Sequence, residues 1–192
     1  MAKLSYDYNT NCNPIPAHEQ ALQTVTAEAF AKISDVVPFH LEGMCFDKTG
    51  DTMYFCCTDI GRVFKLDMAT KECKQIWADE GLRSFGLKRH PDGRLFACCF
   101  GRSRKPGIAV LSPEGEELDF YMEGHYIDDL IFAADGSFYA SEFIGDIYDR
   151  KGAIWHVSAD GQTIEPHITG LASPNGVALS PDEKVLWITE YN

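Results

Sequence analysis

Glu42, Asp128 and Asn175 are oxygen-bearing side chains that hold the same place in three copies of one short pattern. The copies read Glu42 followed by GMCFDKTG, Asp128 followed by DLIFAADG, and Asn175 followed by GVALSPDE; a further copy has Phe85 followed by GLKRHPDG. Carboxylates brought together without a counter-charge repel each other and lose solvation, and a bound hard cation removes both costs. Two carboxylates and a carboxamide are ligands for calcium, magnesium or manganese, with water completing the shell. Taken singly, Glu42-Gly43, Asp128-Asp129 and Pro174-Asn175-Gly176 read as ordinary turns. Their shared register favours a common site. Phe85 suits a substrate-lining role, and His125, three residues before Asp128, is a second candidate for the mouth of the site. The six histidines show no HxH or HExxH spacing, so a histidine-built zinc centre is not expected. No GxSxG is present, which argues against a serine hydrolase.

The elements that must position these residues follow from the repeat. Each copy runs into a turn at Gly50, Gly93, Gly136 or Glu183, a period of about 43–47 residues. A second ladder at Gly61, Gly107 and Gly152 opens another hairpin in each unit. Two hairpins per unit make four strands, the repeating sheet of a β-propeller. The innermost strands of such a fold converge on a central channel, so one register of each reaches the axis. The expected fold is therefore all-β, with the chain covering about three blades and the start of a fourth. Residues 1–32 read as an N-terminal arm with a short helical stretch at 20–32, and 33–192 as the first part of a single propeller domain. The loop Arg102-Ser103-Arg104-Lys105 reads as a solvated connection or part of a lid. Glu142 and Asp146 are expected to be exposed or hydrogen-bonded to neighbouring loops.

Bulk properties narrow the function classes. The 192 residues carry a formal charge of −12 and are 45% hydrophobic, enough apolar material for a packed core. An acidic surface repels nucleic acid and anionic membranes, so neither is expected as a partner. Seven cysteines include the adjacent pairs Cys56-Cys57 and Cys98-Cys99 inside apolar runs. Neighbours in a strand point to opposite faces, so these read as buried thiols, which favours a reducing compartment. The start MAKLSYDYNTNCNP has no apolar region of a signal peptide. No run approaches the roughly 18 apolar residues of a membrane span. A soluble, cytoplasmic protein is expected.

The run SPNGVALSPDEKVLWITE resembles the signature of the gluconolactonase family, which includes regucalcin, the senescence marker protein. LEGMCFD, YIDDLIFAADGSFYASEF and LQTVTAEAFAKIS bring it nearest to the bacterial drug-responsive lactonase branch, over roughly residues 20–192. The resemblance implies a six-bladed propeller with a divalent cation in its channel, calcium first, with magnesium, manganese or zinc as alternatives. It implies hydrolysis of a small-molecule lactone, with Glu42, Asp128 and Asn175 as metal ligands. Phosphotriester hydrolysis on the same site and a non-catalytic binding propeller are the rival readings. The family's remaining ligand, an aspartate that also handles the proton, is expected beyond Asn192, so no catalytic base is assigned within this chain. The chain alone is accordingly expected to be inactive, and assembly of copies is compatible with its open edge. The loop GRSRKPGI and the short EGHY segment before IDD depart from the pattern of relatives with a second calcium site, and none is expected here.

Overall fold

The computed structural model describes residues 28–33 and 40–192. Residues 28–33 carry no regular structure, and the rest of the stretch expected to be helical lies outside the described residues. Residues 1–35 and 36–192 form separate units by contact. The described part of the second is all strand and turn.

Its strands follow one another as antiparallel meanders. The first sheet orders β1 (Leu41–Phe46), β2 (Thr52–Cys57), β3 (Gly61–Asp67) and β4 (Cys73–Asp79). The second orders β5 (Leu82–Arg89), β6 (Leu95–Gly101), β7 (Gly107–Leu111) and β8 (Glu117–Tyr121). The third holds β9 (Ile127–Phe132), β10 (Phe138–Glu142), β11 (Gly152–Val157) and β12 (Ile164–Leu171), and β13 (Pro174–Leu179) pairs with β14 (Leu186–Glu190). Both glycine ladders of the sequence therefore mark real hairpins. Gly50, Gly93 and Gly136 take the left-handed conformation that the turn after the first strand requires, and Glu183 adopts it too, at φ 56°. A non-glycine residue there costs about 1–2 kcal/mol. The Glu183 carboxylate offsets part of that cost by accepting a 2.7 Å hydrogen bond from Ala134 N in the preceding sheet's turn.

The cores lie between sheets. One cluster joins Tyr54, Cys56, Val63 and Trp77 of the first sheet to Leu82, Leu87, Leu95, Ala97 and Cys99 of the second. The next joins Phe96, Cys98, Ile108 and Val110 to Ile127, Leu130, Phe138 and Val157 of the third. Cys98 and Cys99 thus face different cores, as strand alternation demands, and the described cysteines are all free thiols. Each fully buried leucine contributes about 2 kcal/mol. Arg104 locks the first interface at its rim: it pairs with Asp79 of β4 at 2.8 Å and Glu117 of β8 at 2.7 Å, and its guanidinium lies over Phe120. The basic loop is thus a tie between sheets rather than a free, solvated connection.

The first strands of successive sheets touch one another, β1 to β5, β5 to β9 and β9 to β13. Glycines permit this. A Cβ on Gly43 would sit 2.6 Å from Phe85 O, and one on Gly86 would sit 2.5 Å from Asp128 O. Both distances are inside van der Waals contact with backbone that cannot swing away. Gly86→Ala should therefore wedge β5 from β9 and cost about 1–3 kcal/mol or more, read as a lowered denaturation midpoint; an unchanged midpoint would contradict the close approach.

Candidate metal and substrate cleft

All four first strands break register near their starts, at one position in β5, β9 and β13 and one residue later in β1. Pairing skips between Glu42 and Cys45, between Ser84 and Leu87, opposite Ser141 on β9, and between Pro174 and Val177. A bulge at each site puts an extra residue against its partner strand and re-aims the side chain. Phe85, Asp128 and Asn175 fall within these bulges, whereas Glu42 pairs with Cys56 just ahead of its own. Glu42, Asp128 and Asn175, from three different sheets, line one cleft of about 350 Å³ together with Gly43, Gly86 and Gly176. Hydroxyls on the second strands satisfy the disrupted backbone. Ser141 donates to Asn175 O at 2.5 Å and accepts from Asp129 N at 3.1 Å, and Thr189 accepts from Gly176 N at 2.9 Å.

The electrostatics of this cleft are those of crowded anions. Asp128 is buried, 7% exposed. Burial first, then Glu42 and Asp129, push its carboxyl up to about 7. The Glu42 carboxyl is raised as well, by burial first and by Asp129 second, with His40 opposing. Glu42 nonetheless stands exposed on the rim, where solvent screens that shift. Among the described residues, no three His, Cys, Asp or Glu side chains form a metal cluster. The candidate set is smaller in charge, two carboxylates and one carboxamide. Its donors are all oxygen, which suits a hard cation that keeps several waters.

Two residues of the cleft escaped the sequence reading. Asp129 lines it beside Asp128, and Lys88 reaches in from β5. Lys88 Nζ lies 2.9 Å from Asp129 Oδ1. That oxygen is sealed from solvent and makes no hydrogen bond, so the contact is an ion pair by distance and not a hydrogen bond by angle. Asp129 Oδ2 accepts from Val177 N at 3.3 Å. A signal for both existed. Asp129 stands where the other first strands have Gly43, Gly86 and Gly176, and Lys88 stands where they have Cys45, Ile131 and Ala178.

Phe85 and His125 are not among the residues lining this cleft. The Phe85 ring packs on Phe100, with centroids 4.2 Å apart. His125 Nδ1 is 2.9 Å from Glu142 Oε1 and its ring makes a T-shaped contact with Trp155, whose Nε1 donates to Glu142 Oε2 at 2.8 Å. Glu142 is thus buried and hydrogen-bonded, one of the two outcomes expected for it.

A model of the family described as SMP-30/gluconolactonase/LRE-like region matches residues 42–191. The chain is 38% identical over 191 residues to a lactonase, drp35, of Staphylococcus saprophyticus. That match covers 97% of this chain and 58% of the relative, so the chain spans less than two thirds of the relative's length. Among solved structures, a gluconolactonase from Xanthomonas campestris aligns with TM-score 0.64 and 19% identity, covering 80% of this chain and 55% of that one. Regucalcin from Agrobacterium tumefaciens, described as a calcium-binding protein, aligns with TM-score 0.58 and 16% identity over 78% of this chain and 50% of its own. These last two likenesses establish the fold alone.

Proposed function

The chain belongs to the SMP-30/gluconolactonase/LRE-like family, and from that premise we propose that the whole protein hydrolyses lactones with a divalent cation held by Glu42, Asp128 and Asn175. One observation carries the reading: these three side chains, from three sheets, line a single cleft. The relative named as a lactonase supports the substrate class, and the structure described as a calcium-binding protein supports calcium as the cation. In this proposal the whole protein closes as a six-bladed propeller, and the chain supplies three four-stranded sheets and the first hairpin of a fourth.

The residues divide the work as follows. Asp128 and Glu42 supply the negative charge that holds the cation, and Asn175 supplies a neutral oxygen at the third point. When bound, the cation polarises the ester carbonyl and stabilises the negative charge developing on its oxygen. Lys88 balances Asp129 at 2.9 Å, so that the cleft does not carry a third uncompensated carboxylate. With Glu42 and Asp128 committed to the cation, neither is assigned to take the proton of the attacking water.

The test is a panel of γ- and δ-lactones with the whole protein loaded with calcium or manganese. Hydrolysis that a chelator abolishes and added cation restores is the expected result. No chelator-sensitive turnover anywhere in the panel would sink the proposal.

A further inference from the structure

We propose that Lys88 sets the charge of the cleft by holding Asp129 out of the cation-binding set, so that a divalent ion meets two carboxylates and one carboxamide. This rests on the reading of the cleft as a cation site.

Three carboxylates line the cleft: Glu42, Asp128 and Asp129. One ammonium, that of Lys88, faces them, and the balance is two negative charges, which matches one divalent ion. The ammonium is placed to act on Asp129 in particular. Its Nζ is 2.9 Å from Asp129 Oδ1, and the two side chains are only 29% and 15% exposed. Lys88 also lines the second cleft, at the other end of the first strands, with Phe46, Arg89 and Ile131. The ion pair therefore forms a floor between the two clefts.

Asp129 is held from its other side as well. Its Oδ2 accepts from Val177 N, and its backbone N–H donates to the Ser141 hydroxyl that reaches Asn175 O. Removing the ammonium would leave Oδ1 buried, charged and without any hydrogen bond, an arrangement that strongly disfavours the ionised carboxylate. A cation in the cleft is the nearest charge that could relieve it. Affinity of an oxygen site for calcium rises with the number of charged ligands. Freeing Asp129 should therefore tighten cation binding and shift preference toward ions of higher charge.

The experiment compares calcium and terbium(III) binding, by calorimetry and terbium luminescence, in the wild-type protein and in Lys88→Met, Lys88→Arg and Lys88→Met/Asp129→Asn. Circular dichroism confirms folding. Lys88→Met should bind terbium about tenfold or more tightly than wild type, with the terbium-to-calcium preference raised by about tenfold. Lys88→Arg should match wild type, since it restores the charge, and the double variant should return to wild-type affinity. A purely structural lysine would weaken binding in Lys88→Met, and that result overturns the inference, as does unchanged affinity. Should Lys88→Met fail to fold, Asp129→Asn carries the test: the ammonium left uncompensated should weaken terbium binding about tenfold, and unchanged affinity overturns the inference. The two readings fail separately. A wild-type protein that binds neither ion removes the cation site itself, whereas a wild type that binds without tightening in Lys88→Met removes only the role of Lys88.

Discussion

Replacing Asp128 with asparagine is expected to abolish cation binding, lower lactone hydrolysis by about 10³-fold, and yet stabilise the cation-free protein at pH 8. The combination follows from where the carboxylate sits. Asp128 is 7% exposed, and burial, Glu42 and Asp129 raise its carboxyl to about 7. Ionising it at pH 8 without a cation therefore works against folding. A rise of about three units from the ordinary aspartate value corresponds to about 4 kcal/mol. Asparagine keeps the shape and removes the charge, so most of that cost should vanish. The same change removes a negative ligand, and with it the attraction that a cation needs. Denaturant unfolding in chelator at pH 8, beside lactone turnover in calcium, measures both halves. A destabilised variant, or one retaining turnover within tenfold of wild type, would contradict the assignment. A core aspartate with no functional part would show the gain in stability without the loss of activity.

Calcium should invert the pH dependence of stability. The sign follows from the direction of the Asp128 shift. Its folded value lies above the unfolded one, so the folded protein holds the extra proton between about pH 4 and 7. Cation-free stability therefore rises as pH falls through 7 toward 4, by up to about 4 kcal/mol. Below that window the trend reverses. Asp67, held below the ordinary range by the Thr70 N–H, and Asp135, held there by Ser137, then take up protons and lose those bonds. With calcium at about a thousand times its dissociation constant, binding adds about 4 kcal/mol at pH 8, where Asp128 is ionised. At pH 5.5 protons compete for the same oxygens, and the calcium increment should be largely gone. Thermal midpoints at pH 5.5 and 8, in chelator and in calcium, give the four numbers needed. A calcium increment equal at both pH values would place the ion away from Asp128.

Much of the fold was legible because its signals are local. Gly50, Gly93 and Gly136 mark turns that need a left-handed residue, and such a need is written into the chain at that position. Cys98-Cys99 announces a strand buried on both sides, and the two thiols do fall in different cores. Of the stretch 20–32 only residues 28–32 are described, and these carry no regular structure. The candidate ligands were legible for a related reason: a repeat turns a three-dimensional convergence into a one-dimensional register. Phe85 shows the limit of that logic. It has the register of Glu42, Asp128 and Asn175, yet its ring turns to Phe100, because a large apolar side chain gains more by packing than by facing an open, charged cleft.

By itself, the sequence determined the strand order, the four-strand period and the three oxygen-bearing residues at one register. These depend on alternation, turn chemistry and spacing, which are properties of neighbours along the chain. Only the tertiary structure decided how close the first strands come and which charges meet there. The contacts Gly43 to Phe85 and Gly86 to Asp128, and the Lys88–Asp129 ion pair, join residues of different sheets. Electrostatic energy depends on distance and burial, and both are set only once the sheets have packed.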